Sequence, residues 1–344
     1  MSSDRTAPCR VCGTTTAHRA FRVREMMLGL PDEFDYTQCG SCGSLEIVEP
    51  PPDLQRFYPP TYDSFSHVAR GGTVLDQNLR TRLSVRWVLR PTFLGRGASY
   101  SLFKRWEQIP LDIEAVGRHR PPLASRILDV GSGDGELLHK LQILGYRNLL
   151  GIDPFLPADG QRGLVRLRKC RVQNLGPEEL FDTIILYHSL EHAPDPLGTL
   201  RAVREHLVDG GTVMVATPIV NEAFRRYGPA WYQLDAPRHI HVFSVKGLET
   251  LLDRAGLTAF DRYFNSTSLQ FRLSEQYSRG VSQAAARKLP RPSLVRSILS
   301  PAHAELRYRA AELNRLGLGD QAVFYLRKAP SPAPGPSDPS PAGM

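Results

Sequence analysis

Residues 127–135 read Ile127-Leu128-Asp129-Val130-Gly131-Ser132-Gly133-Asp134-Gly135, and soon after comes Gly151-Ile152-Asp153-Pro154. A short apolar run that ends in a glycine turn predicts a buried strand whose carboxyl end opens into a helix. Glycine lacks a Cβ, so such a turn can bring backbone N–H groups close to a ligand. Asp153, at the end of a second apolar run, is placed to accept both hydroxyls of a ribose. The spacing is Gly131-x-Gly133-x-Gly135, and Glu136 stands where a dinucleotide fingerprint needs its third glycine. No Walker lysine follows. The ligand this leaves is a nucleoside without a phosphate chain.

Downstream, Leu137, Leu138, Leu141 and Leu144 share one helical face, and Gly145 suits the end of that helix. Further strands are expected at 149–153, around 165–172, and at 181–187, 212–217, 258–263 and 321–328. Helical stripes fall between them: Leu197, Leu200, Val203 and Leu207, then Leu248, Leu251 and Leu252 closed by Gly256. This alternation predicts an α/β, doubly wound, mainly parallel seven-stranded sheet. Ligands of open parallel sheets bind beyond the carboxyl ends of the strands. That rule selects Asp129, Gly131, Ser132, Gly133, Gly135, Asp153, Asn174, and the run from Tyr187 through His188 to His192.

Four of the five cysteines form two C-x-x-C turns, Cys9/Cys12 and Cys39/Cys42, each followed by a glycine. Two such turns suit a tetrahedral structural zinc, because four thiolates leave no coordination position open. Cys170 stands alone and is expected in the core. The chain divides accordingly. Residues 1–48 are expected to form a zinc-ribbon-like module, 49–122 a linker and helical substrate-side region, 123–328 the α/β domain, and 329–344 a Pro/Ser-rich tail. Leu79, Leu83 and Trp87 recur at helical spacing within the second of these.

No run approaches the roughly 18 apolar residues of a membrane span. The N-terminus lacks the apolar core of a signal peptide, which points to the cytoplasm. The net charge of +8 owes much to Arg80, Arg82, Arg86, Arg90, Arg96, Lys104, Arg105, Arg118, Arg120 and Arg126. Such a stretch suits an anionic partner or a solvated face equally well.

The glycine loop with Asp153, and the strands that follow, resemble class I S-adenosylmethionine-dependent methyltransferases. The resemblance implies that Asp129, Gly131, Gly133 and Asp153 hold S-adenosyl-L-methionine, and that Asn174 or Gln173 contacts the adenine. Tyr187-His188-Ser189-Leu190-Glu191-His192-Ala193-Pro194 resembles the loop after the fourth strand in small-molecule members. It also spells H-x-x-E-H, which needs a helix to bring two histidines to one metal. Pro194 and Pro196 forbid a long helix there, so the motif is not read as a metal site.

The segment Asp235-Ala236-Pro237-Arg238-His239-Ile240-His241-Val242-Phe243-Ser244 is similar to one in sugar C-methyltransferases and puts His239 in the place of the base. Arg238 stands where those enzymes carry an acid. The resemblance, which extends to methyltransferases of bacterial polysaccharide loci, implies an acceptor that is a nucleotide-linked or polysaccharide-precursor sugar, methylated on oxygen or carbon. His188, His192, His239 and His241 are the candidates to orient or deprotonate it, and Trp231, Tyr232, Tyr62 and Phe65 are candidates for an aromatic wall. Three alternatives stay open: an RNA methyltransferase, a quinone-type O-methyltransferase, and a non-catalytic nucleoside-binding module. Nucleic acid is the less favoured partner, since no Asn/Asp-Pro-Pro-Tyr/Phe motif follows the fourth strand.

Overall fold

The computed structural model describes residues 5–59, 88–105, 109–288 and 300–330. Tyr62, Phe65, the stripe Leu79/Leu83/Trp87, the residues Arg80, Arg82 and Arg86, and nearly all of the tail lie outside them. Four strands open the chain: β1 (Arg5–Pro8), β2 (Thr15–Arg24), β3 (Glu33–Cys39) and β4 (Leu45–Ile47). Then follow β5 (Arg126–Val130), β6 (Asn148–Ile152), β7 (Gly160–Arg162), β8 (Val165–Arg168), β9 (Phe181–Tyr187) and β10 (Leu207–Pro218). The last three are β11 (His241–Val242), β12 (Leu257–Phe264) and β13 (Gln321–Lys328).

The larger sheet runs β12-β13-β10-β9-β5-β6-β8-β7, with β10, β9, β5, β6 and β8 mutually parallel and β13 antiparallel between β10 and β12. It has eight strands where seven were expected. The additional one, β7, is a three-residue edge strand folded back on β8 across Gly163, whose φ of +59° suits a two-residue hairpin turn. The strand expected over 165–172 stops at Arg168, because Val172–Asn174 closes into a 3-10 turn.

Side chains alternate across a strand, so neighbours in one run serve opposite layers. Ile184 and Leu186 pack with the helices Pro196–Glu205 and Val245–Ala255, whereas Ile185 packs with Leu111–His119 and Glu136–Leu144. That is why β9 reads as a continuous apolar run. Pro196 does not break the chain's next helix; it starts it, with Asp195 accepting from the Gly198 N–H as the cap.

The smaller sheet runs β1-β2-β3-β4-β11, all antiparallel. Its last strand, β11, comes from residues 241–242, almost two hundred positions beyond β4. Tyr36, Leu45 and Ile47 share a core with Trp231, Leu234, Ile240 and Val242. The N-terminal strands are therefore packed directly on the segment that follows β10. No helix among the described residues is long and apolar enough to cross a membrane.

Candidate functional site

Gly131, Gly133 and Gly135 all adopt positive φ, at +78°, +53° and +81°. At Gly131 a Cβ would also fall 2.4 Å from Ser189 Cβ, so both conformation and space exclude a side chain. The N–H groups of Gly131 and Ser132 donate to the Ile152 carbonyl at 2.8 and 3.1 Å, which ties the loop to the end of β6. Asp153 is fixed by the same junction: Oδ2 accepts from Gly133 N–H at 3.1 Å and Oδ1 from Phe155 N–H at 2.8 Å. Burial raises its pKa despite those two donors. Asp129, 3% exposed, is pushed up to about 8 by burial, then by the charges of Asp153 and Asp112.

These residues face a cavity of about 690 Å³ at the carboxyl ends of β5, β6 and β9. Asp129, Gly131, Ser132, Gly133, Asp153, Tyr187, His188, His192 and His239 all line it. Gly135 sits just behind, as the residue preceding the helix Glu136–Leu144. Asn174 is exposed and accepts from the Arg171 N–H within its own turn, while Arg171, Val172 and Gln173 line the cavity. His241 is fully buried in β11 and does not line it; burial and then Arg10 hold its pKa down at about 3.

The three cavity histidines meet around Glu191. His188, in the left-handed region at φ +51°, lies 3.1 Å from Glu191 Oε1 through Nδ1. A carboxylate can only accept, so His188 Nδ1 carries a proton. Thr217 donates to Glu191 Oε2 at 3.1 Å. Burial alone would raise the Glu191 pKa, but the His188 hydrogen bond and the charges of His188, His192 and His239 outweigh it and hold the carboxyl at about 2. The rings of His192 and His239 are 4.8 Å apart. Burial and then His192 lower His239 to about 4, against the opposing pull of Asp235 and Glu191.

Residues 102–260 match the family model described as a methyltransferase domain, just under half of the chain. This segment is a methyltransferase domain. A tRNA U34 carboxymethyltransferase of Shewanella piezotolerans is 26% identical over 147 residues, covering 35% of this chain and 44% of that protein. A ubiquinone biosynthesis O-methyltransferase of Ruegeria pomeroyi is 28% identical over 188 residues, covering 47% and 72%. The chain thus spans less than half the length of the tRNA-modifying relatives it matches. A solved mycolic acid cyclopropane synthase, complexed with S-adenosylhomocysteine, superposes with a TM-score of 0.44 and 16% identity, over 71% of this chain and 93% of that one.

Outside the methyltransferase domain proper, the four N-terminal cysteines converge. Cys9 Sγ lies 3.9 Å from Cys42 Sγ, and Cys12 Sγ 3.8 Å from Cys39 Sγ. Tetrahedral zinc–sulfur bonds of about 2.3 Å separate their sulfurs by about 3.8 Å. Those two pairs have the spacing of zinc-bound thiolates, all four sulfurs lie within 4.8 Å of one another, and all are free thiols. Gly13 and Gly43, at φ +78° and +79°, return their N–H groups to the Cys9 and Cys39 carbonyls. The cluster packs on the N-terminus of the helix Val245–Ala255, where Ser244 caps Gly247 and also bonds the Cys42 carbonyl.

Several lining residues carried no signal of their own in the sequence. Asp112, Tyr58, Phe155 and Gln283 come from four separate segments and meet only in the folded chain. Tyr58 stacks on Phe155 at 5.2 Å and reaches His192 Nδ1 at 3.2 Å. Of the expected aromatic wall, Tyr232 lines the cavity, while Trp231 is buried in the core and donates to Asp320. Cys170, expected in the core, lines the cavity half-buried.

Arg238 has a structural part to play. Its guanidinium, fully buried, bonds Asp235, Glu25 and the Phe57 carbonyl, so it joins the loop after β2 to the turn that carries His239. His239 itself is held by Nδ1 at 2.7 Å from the Gln233 carbonyl and by its own carbonyl, which accepts from Tyr36 OH at 2.7 Å.

Proposed function

We propose that this chain transfers the methyl group of S-adenosyl-L-methionine to a small hydroxyl-bearing acceptor, of the nucleotide-linked or polysaccharide-precursor sugar class. One observation carries the reading: the glycine loop and Asp153 share a single cavity with the cluster His188, His192 and His239. Asp153, its two oxygens oriented by backbone donors, would take the ribose hydroxyls, and Asp129 the cationic end of the cofactor. Val172 and Gln173, rather than Asn174, would lie against the adenine. Transfer is an in-line displacement, so the site's main task is positioning. The C–S bond breaks as the bond to the acceptor oxygen forms, the sulfonium becomes a neutral thioether, and the hydroxyl proton leaves to an imidazole or to water. Gln233, Asp235 and Gln283 offer the amides and carboxylate that pair with sugar hydroxyls. The four cysteines would hold a structural zinc.

The tRNA-modifying and quinone-methylating relatives carry other acceptors in their names, so tRNA and quinone precursors are the competing acceptors. Radiolabelled methyl transfer, run on nucleotide sugars, quinone precursors and tRNA, tests the reading. Label in the sugars supports it, label in tRNA or quinone alone moves the acceptor, and S-adenosylhomocysteine binding without any transfer leaves a binding module.

A further inference from the structure

H-x-x-E-H fails as a helical metal motif here, since Leu190–His192 is a single 3-10 turn. The fold supplies a third ligand from elsewhere. Glu191, His192 and His239 each place a ligand atom within 4.8 Å of the others. Three donors bonded at about 2.0–2.2 Å to one ion lie about 3.0–3.8 Å apart, so the cluster has to close by about 1 Å or more where its donors are farthest apart.

The hydrogen bonds around these groups are those of oriented metal ligands. His192 Nδ1 lies 2.8 Å from the Arg238 carbonyl and His239 Nδ1 2.7 Å from that of Gln233. A carbonyl only accepts, so both Nδ1 atoms carry the proton and both Nε2 atoms present lone pairs. Metal-bound histidines are fixed in this way by their other ring nitrogen. Glu191 has no solvent-exposed surface and is itself aimed by His188 and Thr217. Asp235 Oδ2, 4.0 Å from His239 Nε2, stands on the same side of that ring.

We infer that Glu191, His192 and His239 bind one divalent first-row metal ion at the wall of the methyltransferase cavity. Two imidazoles and a carboxylate suit manganese, iron, cobalt or zinc better than magnesium or calcium. Three protein ligands leave positions open for an acceptor with neighbouring oxygen atoms; that last step rests on the methyltransferase reading, whereas the ion site does not. A resident ion would account for the convergence of His192 and His239 beside Glu191, with His188 orienting that carboxylate.

The test titrates Mn2+ into the full-length chain and follows loss of the free-ion electron paramagnetic resonance signal. Manganese favours oxygen and nitrogen donors over thiolates, so the cysteine cluster stays outside the count. One Mn2+ per chain is expected, with affinity at least about tenfold weaker in Glu191→Gln, His192→Asn and His239→Asn variants whose circular dichroism is unchanged. Pulsed resonance on the wild-type complex should show two imidazole nitrogens, a readout that needs no variant. No saturable binding, no nitrogen coupling, or equal affinity in the folded variants overturns the site. S-adenosylhomocysteine calorimetry beside it separates the two readings. Mn2+ bound without the nucleoside keeps the ion site and removes the methyltransferase, and the nucleoside bound without Mn2+ does the reverse.

Discussion

The Arg238 guanidinium donates to the Glu25 carboxylate at 3.2 Å, and both side chains are fully excluded from solvent. Glu25 also accepts from the backbone N–H groups of Met27, Leu28, Gly29 and Leu30, so its charge is satisfied on every side. The pair joins the N-terminal strands to the turn that positions His239. Removing one partner of such a pair leaves the other charged and buried, which costs about 3–5 kcal/mol. Arg238→Met is therefore expected to lose about that much in urea unfolding. The double variant Glu25→Gln/Arg238→Met should recover part of it, and equal losses in the single and double variants would deny the coupling.

The parts of this architecture that the sequence discloses are local ones. Phe181–Tyr187 and Gln321–Lys328 have the same bounds in the sequence reading and in the fold, because a strand covered on both faces is a continuous apolar run. The glycine loop is legible because positive φ restricts residue choice. The pairing of β4 with β11 and the contact of Glu25 with Arg238 span about two hundred residues and leave no periodic trace. Which residue after β8 lines the cavity depends on a 3-10 turn that puts Gln173, and not Asn174, at the cavity's edge. The meeting of Glu191, His192 and His239 is likewise a property of the fold alone.

Gly131→Ala adds a Cβ at φ +78° and 2.4 Å from Ser189. Strain of this kind costs about 1–3 kcal/mol, and the loop must shift to relieve it. S-adenosylhomocysteine affinity should fall at least about tenfold by calorimetry, with a modest drop in melting temperature. Unchanged affinity would mean that the loop does not hold the nucleoside.

Removal of the zinc proposed for the four thiols should act on the methyltransferase domain as well as on the module. The cysteine turns rest on the helix Val245–Ala255, and Arg254 donates to the Val11 carbonyl at 2.8 Å. The expected metal content of the chain, by mass spectrometry, drops by one zinc in Cys39→Ser. Melting should fall by several degrees, at about 1–2 °C per kcal/mol for a chain of this size. A Cys39→Ser chain that melts like wild type would show the four thiols to be metal-free in use.

Asp129 gives cofactor binding a pH dependence whose sign is fixed by its surroundings. Burial, then Asp153 and Asp112, hold its folded-state pKa at about 8, against about 3.9 in an unfolded chain. Between those values the folded state keeps a proton that the unfolded state has lost, so the stability of the unliganded chain falls as pH rises through that window. A cationic ligand beside Asp129 favours the carboxylate, and binding then expels the proton. S-adenosylmethionine affinity should accordingly rise from pH 6 toward pH 8, by up to about tenfold per unit, and level off above. Calorimetry in buffers of different ionisation enthalpy would register the released proton directly. Asp129→Asn should bind more weakly at pH 8, show no proton release and flatten the profile; an unaltered profile in that variant would assign the titration elsewhere.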